Sequence, residues 1–179
     1  MNIYSENLIL RAIELEDMEL LKSMINNPNI ENMVLGWSFP VSSNQQINWI
    51  NNLKGDKNNV RFIVDMKNVG AVGLVSLTNI DYKNGTATIN IKLNSDDIKQ
   101  KGLGYKAITL LSDYAFNQLN LNCLIANILN YNIASQKLFE KCRFTLEGRL
   151  QERIYKNGAY QDVYSYSLLK RDFINERNR

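Results

Sequence analysis

Thr86-Ala87-Thr88-Ile89-Asn90-Ile91-Lys92-Leu93, followed by a mostly polar stretch from Asn94 to Lys101 and then by Gly102-Leu103-Gly104-Tyr105, decides the fold. Ala87, Ile89, Ile91 and Leu93 alternate with polar residues, the period of a half-buried strand with one inward face. From Leu103 the period becomes helical, with Ala107, Leu111, Tyr114, Ala115 and Leu119 on one face. A strand therefore passes through a glycine-rich loop into an amphipathic helix.

Upstream, Val60 to Met66 and Val69 to Leu77 are rich in β-branched residues and turn at Lys67-Asn68. Asn84-Gly85 is a hairpin signal, since both positions tolerate positive φ. Further back, Asn7 to Arg11 reads as a first strand. Met18, Leu21, Met24 and Ile25 then recur at helical spacing, with Asp17 as N-cap and an end near Asn26-Asn27-Pro28. Ser43-Asn44-Gln45-Gln46 fits a capping box ahead of Ile47, Ile50 and Leu53, with Gly55 as the C-terminal cap. Downstream come a strand from Cys123 to Leu129 and a helix with Ala134 and Leu138 on its inner face. A brief strand from Phe144 to Glu147 and a last hairpin, turning at Asn157-Gly158 and running through Val163 to Leu169, complete the order β-α-α-β-β-β-α-β-α-β-β. Antiparallel hairpins flanked by helices argue a mixed α/β (α+β) fold over a doubly wound sheet. No repeat, linker or low-complexity tract divides the 179 residues, so they are read as one domain, 1–179.

Composition removes several chemistries. The absence of histidine excludes Ser-His-Asp and Cys-His catalysis and His-rich metal sites, and with no CxxC pair the expectation is no metal. Cys123 and Cys142 sit in or beside apolar stretches and read as buried thiols. A formal charge of +3 on scattered Lys and Arg argues against nucleic acid. Met1 to Glu6 carries no basic start or apolar core of a signal peptide, and no apolar run reaches the ~20 residues that span a bilayer. The expectation is a cytoplasmic chain with no membrane partner.

The loop Lys99-Gln100-Lys101-Gly102-Leu103-Gly104 carries the chemistry. A glycine-rich helix entry exposes backbone N–H groups at the positive end of the helix dipole, and Lys99 and Lys101 add countercharge. The physical reading is a pyrophosphate cradle; glycines that only turn the chain are the rival on this segment alone. Gly102-Leu103-Gly104-Tyr105-Lys106-Ala107 also satisfies the dinucleotide-binding GxGxxG/A pattern. That motif needs its first glycine right after a strand and an acid on the next strand, and neither is present. A nucleotide P-loop fails because no Gly-Lys-Ser/Thr follows.

Between an alternating strand and a helix, this loop resembles the coenzyme-A pyrophosphate loop of GNAT acetyltransferases, Gln/Arg-x-x-Gly-x-Gly/Ala, with Lys99 in place of Gln or Arg. Asn132-Ile133-Ala134-Ser135-Gln136-Lys137-Leu138-Phe139-Glu140-Lys141-Cys142-Arg143-Phe144 resembles that family's Asn-x-x-Ser/Ala-x-x-x-Tyr-Glu-Lys-x-Gly-Phe segment, with Arg143 for the glycine. Leu146 to Leu150 and Tyr155 to Val163 are similar to the final hairpin of the branch holding ribosomal-protein N-terminal, polyamine and amino-sugar acetyltransferases. The resemblance extends over nearly the whole chain.

It implies a splayed, mostly antiparallel sheet flanked by about four helices, and acetyl-CoA (coenzyme A) as cofactor. The pantetheine arm would lie along Ile91, Lys92 and Leu93 as an added strand, the pyrophosphate against Lys99 to Tyr105, and Asn132 and Ser135 beside the arm. Helix capping and a solvated helix face are the plainer roles of Asn132 and Ser135. The reaction the resemblance implies is acetyl transfer by direct attack of a primary amine: a small molecule, polyamine, amino sugar or protein N-terminus. A non-catalytic acyl-CoA-binding module and an NAD-binding oxidoreductase are the other readings, and a homodimer stays open. Many relatives carry Glu where this chain has Thr88 and Tyr where it has Phe139, so both familiar proton-transfer groups are missing. Tyr131 is the candidate substitute acid, with a cover for the helix end as its plainer role. Trp37 and Phe39, with Trp49, are candidates to line the acceptor pocket, or else to pack the core. Glu14, Glu16, Asp17 and Glu19 suit either a polyamine or a solvated helix start.

Overall fold

The computed structural model describes residues 1–36, 39–53, 55–94 and 102–177. Two short strands, β1 (Ile3–Tyr4) and β2 (Leu8–Arg11), precede a 3-10 turn at Leu15–Asp17 and the helices α1 (Met18–Ile25), α2 (Pro28–Glu31) and α3 (Ser43–Asn51). Three antiparallel strands follow: β3 (Val60–Met66), β4 (Gly70–Asp81) and β5 (Thr86–Leu93). Then come α4 (Leu103–Asn117), β6 (Cys123–Leu129), α5 (Ile133–Lys141), β7 (Thr145–Lys156), β8 (Ala159–Leu169) and α6 (Lys170–Arg177). The sheet order is β1-β2-β3-β4-β5-β6-β8-β7, and among the described residues only the β5–β6 pair is parallel. The mixed α/β expectation holds. Beyond the four helices expected, the structure adds α2, a single turn, and α6.

The two faces of the sheet are told apart by neighbours on β3. Phe62 meets Tyr114 of α4 edge-on with ring centroids 5.5 Å apart. The α4 face buries Leu103, Ala107, Ile108, Leu111, Ala115 and Phe116 against Val64, Val75, Leu77 and Ile89. Each Leu, Ile, Val or Phe side chain among them contributes about 1.5–3 kcal/mol on leaving water, which makes this layer the main core. Arg61, next to Phe62, points the other way, and its guanidinium lies 5.7 Å from the centroid of the Trp49 ring on α3. The opposite face is thus the one covered by α1 and α3.

Several local expectations are corrected. α3 is capped by Ser42, not Ser43: the Gln45 N–H donates to Ser42 Oγ at 3.3 Å and the Ser42 N–H to Gln45 Oε1 at 2.8 Å. Gln46, one position on, is buried. The helix ends at Asn51 with Asn52 as C-cap, so Gly55 lies beyond it. Asp17 makes no side-chain cap to α1; its buried carboxylate serves the preceding turn and Arg11. Between β4 and β5 only Gly85 has positive φ, at 66°, and Asp81 Oδ1 accepts the N–H groups of Lys83 and Asn84, each at 3.0 Å. The brief strand expected at Phe144–Glu147 is the start of the twelve-residue β7. The final turn is as expected, with Asn157 at φ 54° and Gly158 at φ 79°, the pair a two-residue hairpin needs.

Candidate active site

β5 and β6 run in parallel for three residue pairs, Thr86–Cys123, Ala87–Leu124 and Thr88–Ile125, and then separate. Ile89 to Leu93 and Ala126 to Leu129 therefore face one another across a widening gap, and among the described residues the β6 side of β5 has no strand partner there. A cavity of about 1270 Å³ fills this gap and continues under α1, α2 and α3. An unpaired strand edge inside a cavity is suited to receive an extended ligand that supplies amide groups.

At the mouth of the gap α4 and α5 converge. A Cβ on Gly104 would lie 3.1 Å from Leu138 Cδ2 and 3.8 Å from Ile91 Cδ1, so this glycine is what allows the close approach. Gly102 is the N-cap of α4 at φ 69°, ψ 12°, with no side-chain cap bond, and space is open where a Cβ would stand. Gly102 and Gly104 thus place no side chain of their own between the first-turn N–H groups of this fifteen-residue helix and the cavity, a fit for phosphate. Lys137 and Lys141, one turn apart on α5, line the same mouth, and Lys141 Nζ stands 5.3 Å from the Tyr105 ring centroid.

Of the residues named from the sequence, Ile91, Lys92, Leu93, Gly102, Gly104, Tyr105, Tyr131, Asn132 and Ser135 line this cavity together. Leu103 is buried in the core. Lys99, Gln100, Lys101 and Trp37 lie outside the described residues. Phe39 is 67% exposed and is not among the cavity residues, which also removes it from the core. Trp49 does line the cavity. Lys137 and Lys141 were missed, although their spacing puts them beside Ala134 and Leu138 on the inner side of α5.

Both amide groups of Asn132 are engaged: Oδ1 accepts the Ser135 N–H at 3.1 Å as the α5 cap, and Nδ2 donates to the Met33 carbonyl at 2.9 Å. The Tyr131 hydroxyl donates to the Asn32 carbonyl at 2.7 Å, and burial, followed by the charge of Glu31, raises its pKa. Lys156, only 6% exposed, donates to the Glu31 carbonyl at 3.0 Å, the Gly36 carbonyl at 2.9 Å and the Glu31 carboxylate. Four side chains from β6–α5 and the last hairpin, counting Asn157 on Asn32 Oδ1, clamp the segment after α2 over the cavity.

On the α1–α3 face the register sets out a polar floor. Arg61, Ser76 and Asn90 form one row across β3, β4 and β5, Ile63, Leu74 and Lys92 another, and Thr78 pairs with Thr88. Asn90 Nδ2 donates to Thr78 Oγ1 at 3.1 Å. Arg61 is paired with Asp56 at 3.0 Å. Lys92 is half-buried and has no hydrogen-bond or ion-pair partner among the described residues. Burial lowers its pKa; Glu31 opposes this and Lys156 adds to it. Among the described residues no Asp or Glu lines the cavity. Asp17 of the acidic cluster is buried under Arg11, so neither role expected for that residue applies.

Residues 7–145 match the family model described as an acetyltransferase (GNAT) domain. The chain is a GNAT acetyltransferase. It is 32% identical over 174 residues to the uncharacterized N-acetyltransferase p20 of Bacillus licheniformis, covering 96% of this chain and 97% of that one. It is 30% identical over 172 residues to the spermidine N(1)-acetyltransferase of Vibrio cholerae, covering 96% and 98%. A crystal structure of the Vibrio cholerae spermidine N-acetyltransferase in complex with CoA and spermine superposes with a TM-score of 0.89 at 29% identity, over 96% of this chain and 100% of that one. The GNAT chain is thus an acetyl-CoA-dependent N-acetyltransferase, and its reaction carries an acetyl group to an amine.

Within this GNAT framework the two family departures are visible as structure. Phe139 is buried and meets Phe144 edge-on at 5.0 Å, an apolar contact with no proton to give. Thr88 stands at the last β5–β6 pair, and its carbonyl accepts from Thr78 Oγ1 at 3.4 Å. Cys142 is buried with its thiol pushed up to about 12, and Cys123 is also raised, chiefly by burial. Neither thiol is poised as a nucleophile, in keeping with acyl transfer without an enzyme-bound intermediate. Among the described residues no helix is long and apolar enough to cross a membrane.

Proposed function

We propose that this single-domain enzyme holds acetyl-CoA with its pyrophosphate at Gly102–Gly104 and its pantetheine arm along Ile91–Leu93 in the gap between β5 and β6. The end of β5–β6 pairing at Thr88 and Ile125, opposite the glycine-capped N-terminus of α4, carries this reading. Lys137 and Lys141 on α5, with Lys99 and Lys101 ahead of α4, supply countercharge to the phosphates. Acetyl-CoA supplies an activated acetyl thioester; the remaining work falls to the chain.

Backbone N–H groups of Ile91–Leu93 orient the arm and face the thioester oxygen where negative charge grows. The acceptor, a primary amine, seats on the floor of Ser76, Thr78 and Asn90 beneath α1 and α3. An alkylamine with a pKa near ~10.4 is mostly protonated at neutral pH, and no carboxylate or histidine among the described cavity residues takes its proton, so water carries it out. A thiol of pKa ~8.5 leaves acceptably without an acid, which suits Phe139. Tyr131 and Asn132 act as positioning residues that hold the segment after α2 over the acceptor.

The test is thiol release from acetyl-CoA with a panel of primary amines, followed by mass spectrometry of the product. Amine-dependent release with an added acetyl mass is the expected result. Tight CoA binding without release for any amine supports a binding module instead, and protection in thermal melts by NAD rather than CoA would sink both.

A further inference from the structure

We propose that the acceptor is an α-amino acid with an apolar side chain, its carboxylate received by Lys92, and that polyamines are poor acceptors. This rests on the cavity being the acetyl-transfer site and names the chemistry of its acceptor end.

Lys92 projects from the face of β5 that carries Thr88 and Asn90, opposite the core face of Ile89 and Leu93. It is half-buried, it lines the cavity, and among the described residues its ammonium has no partner. Glu31 is the carboxylate whose charge reaches it, but that carboxylate is held by Lys156, which also takes two carbonyl oxygens. The group able to neutralise Lys92 is therefore spoken for, and a desolvated cation is left facing the acceptor space.

The rest of the cavity's charge points the same way. Its described lining holds Arg61, Lys92, Lys137 and Lys141 and no Asp or Glu. Arg61 is balanced by Asp56 and covers Trp49, while Lys137 and Lys141 stand at the cofactor mouth beside Gly104 and Tyr105. Among the described residues the acceptor end keeps one unbalanced positive charge. A polyamine brings two or more further cations to a wall whose described residues include no carboxylate, and like charge disfavours it. A carboxylate on the carbon that bears the amine meets Lys92 instead. Leu21, Met24, Ile30, Met33 and Trp49 give the remainder of the molecule an apolar wall. The same ammonium lowers the pKa of an amine held beside it, which helps supply the neutral nucleophile in a cavity without a base.

The experiment compares matched pairs that differ only in the carboxylate: phenylalanine against phenethylamine, methionine against 3-(methylthio)propylamine, leucine against isoamylamine, with spermidine alongside. Thiol release from acetyl-CoA gives kcat/KM for each with the wild type, Lys92→Met and Lys92→Arg. In the wild type the amino acid of each pair is favoured by tenfold or more, and spermidine ranks below the amino acids. Lys92→Met brings each pair to within about threefold by raising the amino-acid KM, with the KM for acetyl-CoA unchanged, and Lys92→Arg keeps the preference. Wild-type preference for spermidine or for the decarboxylated amines overturns the inference and leaves the transferase reading standing. Equal losses for both members of each pair in Lys92→Met, or a change confined to acetyl-CoA, also overturn it. Release with no amine, while CoA still binds in calorimetry, removes the transferase reading and this inference with it.

Discussion

Tyr131 donates its hydroxyl hydrogen to the Asn32 carbonyl at 2.7 Å, and through that bond the far end of β6 fixes the segment that roofs the acceptor space. The phenol proton is directed at α2 rather than at the gap between β5 and β6. Tyr131→Phe removes one hydrogen bond worth about 1 kcal/mol and loosens the roof. The expected kinetics are a rise of several-fold in acceptor KM with kcat within about threefold of wild type. A general acid would instead cost kcat ~100-fold or more, so steady-state constants for both substrates separate the two roles.

Gly104 is the point at which α4, α5 and β5 meet. A methyl group there stands 3.1 Å from Leu138 Cδ2 and forces that side chain to give way, at a cost of about 1 kcal/mol. Gly104→Asp adds a negative charge where phosphate is to sit. CoA affinity measured by calorimetry should fall at least tenfold, about 1.4 kcal/mol. Unchanged affinity would place the cradle elsewhere.

Arg11 joins three segments. Its guanidinium meets both oxygens of Asp17 at 2.8 Å and Asp65 Oδ2 at 2.7 Å, and Asp17 is 4% exposed. Arg11→Met leaves that buried carboxylate unpaired and should cost about 3–5 kcal/mol in urea denaturation. Arg11→Met with Asp17→Leu removes both charges and should recover most of the loss.

The strand and helix around Gly102 were legible because each has one apolar face on one core, so period alone identifies them. β1 is too short to show a period. α6 has no apolar stripe and is docked through Phe173, whose ring centroid lies 5.3 Å from that of Phe116. Ser42-Ser43 and Gln45-Gln46 offer the α3 capping box in two registers, and burial of Gln46 selects the one that starts at Ser42. Arg143 takes φ 70° just past α5, which explains why the family segment has glycine there. The acceptor end was least legible. Lys156 comes from a hairpin that reads as surface, and its carbonyl partners lie 125 and 120 residues away. Contacts at that range leave no local pattern.

Burial fixes the behaviour of the thiols. With its pKa pushed up to about 12 by burial, Cys142 stays protonated at pH 8. Iodoacetamide at pH 8 should leave Cys142 unmodified in the folded enzyme, label half-exposed Cys123 slowly, and modify both in urea. Peptide mass spectrometry reads the difference.

Lys92 should cost stability in return for its place in the cavity. Burial holds its pKa below the usual lysine value of 10.5, with Glu31 and Lys156 acting in opposite directions. A folded state that binds this proton more weakly than the unfolded chain is penalised while the group is charged in both. The penalty therefore applies in full at neutral pH and fades as pH rises through the lowered value toward 10.5. Lys92→Met removes the buried charge and should raise Tm at pH 7 by about 2 °C, with a smaller gain at pH 10. In the wild type, loss of the ammonium over the same rise in pH should increase KM for a carboxylate-bearing acceptor but not for its decarboxylated partner. A Tm gain in Lys92→Met that stayed constant from pH 7 to pH 10 would show that packing, and not the charge, sets the cost.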